Sequence, residues 1–142
     1  MLEVSFYILS PTYESGRDVV ACKLAEKAYR QGIYSIIHTA SESHSRTLDD
    51  LLWTFRNTSF VPHQILTDSK PPENPQILIC SLFLPTLENL TVINLAPDIP
   101  KELGNCQRIL EIIAPDDQAK QSGRQRYRQY QQTGVNLVTH NL

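Results

Sequence analysis

Residues 4–38 change their apolar period twice, and that change commits the chain to one fold class. Val4, Phe6 and Ile8 alternate with Ser5 and Tyr7, and Leu9 closes the run. A period of two is the mark of a half-buried strand. The polar segment Ser10 to Gly16 breaks the pattern as a loop. From Arg17 to about Gln31 the spacing becomes helical, with Val20, Leu24, Lys27/Ala28 and Gln31 on one side and Gly32 as terminator. Ile33 to His38 is a second, β-branched run. Strand, helix and strand in that order make a βαβ unit, and the two strands are expected to be parallel because a crossover of this length joins them.

The rest of the chain continues the alternation. Ser41 to Ser45 is polar and suits a helix start, and Leu48, Leu51, Leu52 and Phe55 recur at helical spacing up to Asn57-Thr58-Ser59. Gln64 to Gln76 is a polar, proline-rich connection in which Ile65-Leu66 has room for a short strand. Ile77 to Cys80 and Val92 to Leu95 read as strands, with Pro85 to Asn89 a turn or short helix between them. Lys101 to Cys106 reads as a short helix and Arg108 to Ala114 as a last strand. Pro115-Asp116-Asp117 opens a final helix, with proline near the first turn and acids at the positive end of the dipole. It runs to about Thr133 and stops at Gly134. No repeat, heptad or linker divides residues 1–142, so the expected architecture is a single-domain, three-layer Rossmann-like α/β fold, with a mostly parallel sheet flanked by helices.

Composition narrows function by exclusion. The formal net charge is −2, so no global charge marks the chain for nucleic acid or membrane. No apolar run approaches the ~20 residues needed to span a bilayer. The first residues, Met1-Leu2-Glu3-Val4, lack a signal peptide's basic start, and Cys22, Cys80 and Cys106 are odd in number and far apart. They read as reduced core thiols, and the expected compartment is the cytoplasm.

Catalytic signatures are missing. The first βα loop, where nucleotides sit in Rossmann-type folds, holds one glycine, Gly16, and neither glycine-rich phosphate motif occurs. His38, His44, His63 and His140 show no metal-ligand spacing, although His38 stands at a strand end where such sheets bind ligands. Asp49-Asp50 and Asp116-Asp117 are adjacent pairs that diverge on a helix. No metal, cofactor or catalytic residue is expected. The alternative is a small nucleotide-binding enzyme using the crevice at the carboxyl ends of the strands. A direct single-stranded nucleic-acid binder would want more stacking aromatics than Tyr127 and Tyr130.

Two features stand out. Lys120, Arg124 and Arg128 follow one another at i, i+4 and i+8, with no acid between Lys120 and Tyr130 and with Tyr127 beside them. Like charges at this spacing repel, so the stripe reads either as a solvated basic face or as a site for an acidic, carboxylate-ended ligand. Arg126 falls off the stripe, while Ala119, Gly123 and Tyr130 lie on the inward side. Trp53 points away from Leu48, Leu52 and Phe55, towards Phe60-Val61-Pro62. It is either a cap on the sheet edge or an aromatic anchor for a partner protein.

Three blocks carry a resemblance to a known family. Phe6-Tyr7-x-Leu9 opens the chain, and Leu48-Asp49-x-x-Leu52-Trp53 followed by Ser59-Phe60-Val61-Pro62-His63 occupies its middle. Arg124-x-Arg126-Tyr127-x-x-Tyr130, with Gly134 and Asn136-Leu137 after it, closes it. In order and over essentially the whole length, they resemble the chi subunits of bacterial DNA polymerase III. The resemblance implies a non-catalytic clamp-loader accessory subunit with a nucleotide-binding-like fold and no nucleotide. It implies two partners: the psi subunit, and the acidic C-terminal tail of the single-stranded DNA-binding protein, which ends in Phe with a free carboxylate. A helicase is a further candidate at the psi-facing surface, DNA is reached only indirectly, and no membrane is involved. Lys120, Arg124, Tyr127 and Arg128 match the tail site, with Ile113 or Ala114 as its apolar floor. Trp53, Phe60 and Pro62 match the psi-facing surface.

Overall fold

The computed structural model describes residues 2–55, 61–66, 76–81, 90–100 and 106–142. In chain order the elements are β1 (Glu3–Ile8), α1 (Arg17–Arg30), β2 (Ser35–His38), α2 (Glu42–Thr54), β3 (His63–Ile65), β4 (Ile77–Cys80), β5 (Leu90–Asn94), β6 (Cys106–Ile113), α3 (Asp117–Gln132) and β7 (Asn136–Asn141). The strands form one sheet in the order β3-β4-β2-β5-β6-β1-β7, and every pairing is parallel. The sheet is therefore parallel throughout, not only in its first part.

The sheet separates two apolar layers. Leu110 and Ile112 of β6 and Ile93 of β5 face α1 and α2, meeting Val20, Ala21, Ala25, Leu48 and Leu52. Ile109 and Ile113 of β6, Val92 of β5 and Val4 and Phe6 of β1 face the other way, towards Tyr130 of α3. Alternation along each strand sends successive side chains to opposite layers. A strand covered on both faces needs no polar side, which is why Ile77 to Cys80 is apolar at all four positions and wholly buried. Cys22 and Cys80 belong to this core, and burial pushes the Cys22 thiol up to about 12.

Local signals set the helix ends. The Ser41 hydroxyl accepts from the His44 amide at 3.1 Å and Asp116 Oδ1 accepts from the Ala119 amide at 2.8 Å, each satisfying an orphan donor of the first turn. Gly134 takes φ +73 behind α3, a left-handed conformation that disfavours side chains, and so lets the chain turn back into β7.

Three expectations need correction. Cys106 begins β6 instead of ending a helix, because it pairs with Leu90 of β5. The short strand spans His63–Ile65, so it starts ahead of Ile65 and stops before Leu66. The expected ending also omitted β7, which pairs with β1 along its whole length. The helix end at Asn57-Thr58-Ser59, the turn at Pro85 to Asn89 and residues 101–105 lie outside the described residues.

Candidate partner-docking surfaces

Helix α3 lies across one face of the sheet and divides its residues by direction. Gly123, Arg126 and Tyr130 are buried, Tyr127 and Lys120 are half-buried, and Arg124 and Arg128 are exposed. Gly123 permits the close seat: a Cβ there would stand 2.6 Å from Ile113 Cδ1. Ile113 is only 5% exposed, so of the two floor candidates Ala114, half-buried beyond the end of β6, is the one that reaches the surface. Tyr127 leans edge-on against Phe6, ring centroids 5.3 Å apart. That contact fixes its ring beside the stripe. Among the described residues, Lys120, Arg124 and Arg128 form no ion pair or side-chain hydrogen bond. Three unpaired cations on one helix face make a local positive field on a chain whose net charge is −2.

Beneath this face is a polar network that the sequence reading missed. Glu111 of β6 is fully buried and accepts from Arg126 Nε at 3.0 Å, Asn94 Nδ2 at 2.8 Å and the Tyr130 hydroxyl at 2.7 Å. Arg126 also donates to Ser122 Oγ at 2.7 Å and to the Pro97 carbonyl at 3.3 Å. Burial pushes the Glu111 carboxyl above the ordinary glutamate range, while Arg126 and the hydrogen bonds from Asn94 and Tyr130 pull it down. Burial, then the Glu111 carboxylate, drives the Tyr130 phenol upward, so it stays a donor. All three partners of Glu111 are donors, which suits the carboxylate form. The signal was present in the sequence. Glu111 sits inside the apolar run Ile109-Leu110-Glu111-Ile112-Ile113, and Arg126 continues the inward spacing of Ala119, Gly123 and Tyr130.

A second surface lies across the sheet. Trp53 is 60% exposed at the end of α2, so it is not a buried cap on the sheet edge. His63 of β3 stands under it, ring centroids 5.2 Å apart and planes at 74°. Pro62 is half-buried beside His63, and Phe60 lies outside the described residues.

At the carboxyl ends of the strands the described residues make several internal contacts. Gly16 caps α1 in extended conformation, with φ −75. Arg17 Nη2 donates to the Leu95 carbonyl at 2.9 Å, and burial lowers the pKa of its guanidinium. His44 Nε2 meets Asp18 Oδ1 at 3.1 Å, a hydrogen bond that holds Asp18 below the ordinary aspartate value. His38 ends β2 half-buried, its pKa lowered by burial. No group of three His, Cys, Asp or Glu side chains converges among the described residues. Nor is any helix there long and apolar enough to cross a membrane.

Fold and surfaces together define a Rossmann-like α/β protein with a basic helix face on one side of its sheet and an exposed tryptophan on the other. Residues 1–138 match the family described as DNA polymerase III chi subunit, HolC. The DNA polymerase III subunit chi of Pseudomonas aeruginosa is 32% identical over 152 residues, covering 100% of this chain and 98% of that protein. The subunit chi of Haemophilus influenzae is 31% identical over 138 residues, covering 96% of this chain and 95% of that protein. The subunit chi of Escherichia coli is 25% identical over 143 residues, covering 98% and 97%. The chain belongs to the DNA polymerase III chi subunit family, as its three sequence blocks implied.

Proposed function

We propose that this chain is a non-catalytic accessory subunit of the DNA polymerase III clamp-loader assembly. It bridges a psi subunit at the Trp53 surface and the acidic C-terminal tail of the single-stranded DNA-binding protein at α3. The observation that carries this reading is the unpaired stripe of Lys120, Arg124 and Arg128 beside a Tyr127 ring braced on Phe6. Unpaired cations favour an anionic peptide, and the planar fork of Arg124, central in the stripe, suits a terminal carboxylate in a way that lysine does not. Tyr127 offers a wall for the tail's last aromatic ring, and Ala114 an apolar floor. The exposed Trp53, beside half-buried Pro62, supports the second docking surface, because aromatic anchors of this kind dominate protein interfaces.

The test is a titration of a fluorescent tail peptide against the wild type and Arg124→Ala at two salt concentrations. The expected loss is about 2 kcal/mol, roughly 30-fold in Kd, the range for removing a charged hydrogen-bond partner. Binding should also weaken with added salt, since exposed charges are screened over about 8–10 Å. Equal affinities, or indifference to salt, would remove the stripe as the tail site.

A further inference from the structure

Trp53 would be a poor anchor if its ring could turn at will. An exposed indole on the last turn of a helix has several rotamers, and fixing one on binding costs entropy that a preset ring does not spend. His63 packs against that ring. Its side chain is 1% exposed although Trp53 above it lies largely in water. Nδ1 stands 2.7 Å from the Val61 carbonyl oxygen, which can only accept, so Nδ1–H is the donor. Nε2 faces Asp49 Oδ1 at 3.4 Å, and Asp49 is one helical turn before Trp53 on α2. The imidazole is therefore fixed by the Val61 hydrogen bond on one side and stands against the Asp49 side chain of α2 on the other, a contact that becomes an ion pair only in the protonated ring. Its ring meets the indole at 74° and 5.2 Å, the edge-to-face geometry that aromatic pairs prefer.

We propose that His63 is a positioning residue for partner docking: hydrogen-bonded to the Val61 carbonyl and packed beside Asp49, it braces Trp53 in its binding orientation before the partner arrives. The proposal rests on the Trp53 surface being the psi-facing one, and it assigns the neighbouring histidine a role that needs no contact with psi.

Trp53 is the chain's single tryptophan, so intrinsic fluorescence reports on that ring alone. Three variants are compared with the wild type: Trp53→Ala, His63→Ala and His63→Phe. Time-resolved anisotropy follows the freedom of the indole, affinity for purified psi follows docking, and tail-peptide binding at α3 confirms that each variant is folded. His63→Ala should give Trp53 a fast local rotation absent from the wild type. It should weaken psi binding about threefold to tenfold, the range of an aromatic pair's contact, and leave tail binding unchanged. His63→Phe keeps a ring under the indole and should restore most of the anisotropy and the affinity, despite losing the bond to Val61. Wild-type anisotropy and psi affinity in His63→Ala would overturn the brace. If instead Trp53→Ala binds psi as well as the wild type, the psi-facing assignment falls, whatever the anisotropy of the histidine variants.

Discussion

Arg124 and Arg126 stand two residues apart on α3 and meet opposite surroundings. A rotation of 100° per residue puts them about 200° apart, so one faces water and the other the sheet. Arg126 is tolerated inside because Glu111 neutralises it and Ser122 and Pro97 take further donors. Removing one member of such a pair leaves a buried charge without compensation and typically costs about 3–5 kcal/mol. Arg126→Ala should therefore lower stability by about that amount in urea unfolding. Glu111→Leu with Arg126→Leu should recover much of the loss, since apolar replacement of both partners is often neutral. A drop below about 1 kcal/mol in the single variant would mean that Glu111 finds water or accepts a proton at little expense. The direction of Arg126 was legible from helical spacing. Its partner was not, because nothing local links position 126 to an acid 15 residues earlier.

At the scale of elements, the seat of α3 depends on one missing methyl group. Gly123→Ala adds a Cβ that meets Ile113 Cδ1 at 2.6 Å, so helix propensity gains about 1 kcal/mol while overpacking costs about 1–3 kcal/mol. Ile113→Val removes that Cδ1. The alanine should be better tolerated in the Ile113→Val background than in the wild type, with a coupling energy of at least about 0.5 kcal/mol from a double-mutant cycle by thermal unfolding. Additive effects would show that α3 shifts as a body to make room. β7 teaches the complementary lesson. Asn136, Thr139 and Asn141 give it no apolar run, and it lies at the sheet edge with a mostly exposed or half-exposed pattern. Its strand conformation comes from pairing with β1, where the Asn136 amide reaches Leu2 at 3.2 Å and the Leu142 amide reaches Ile8 at 2.9 Å. Period-two patterning reports burial, and an edge strand with little burial writes little of it.

In the whole molecule the two proposed docking surfaces lie on opposite sides of the sheet, Trp53 with the α1 and α2 layer and Arg124 with the α3 layer. Sites with no shared partners usually contribute independently, to within about 0.5 kcal/mol. Trp53→Ala should weaken only psi and Arg124→Ala only the tail. The double variant should show both losses unchanged when the three-component assembly is measured by analytical ultracentrifugation. A loss in one site that depends on the other would mean that the sheet transmits strain between its faces. The α/β class, the three helices, the buried strand at Ile77 to Cys80 and the outward stripe of Lys120, Arg124 and Arg128 were all readable from the sequence alone. Each follows from the spacing of apolar and polar residues within a few turns, and spacing is a local property of the chain. Tertiary structure alone decided the strand order, the parallel edge made by β7, the pairing of Arg126 with Glu111 and the placing of His63 beneath Trp53. These depend on which distant segments approach one another, and that choice is made by packing both layers of one sheet at once.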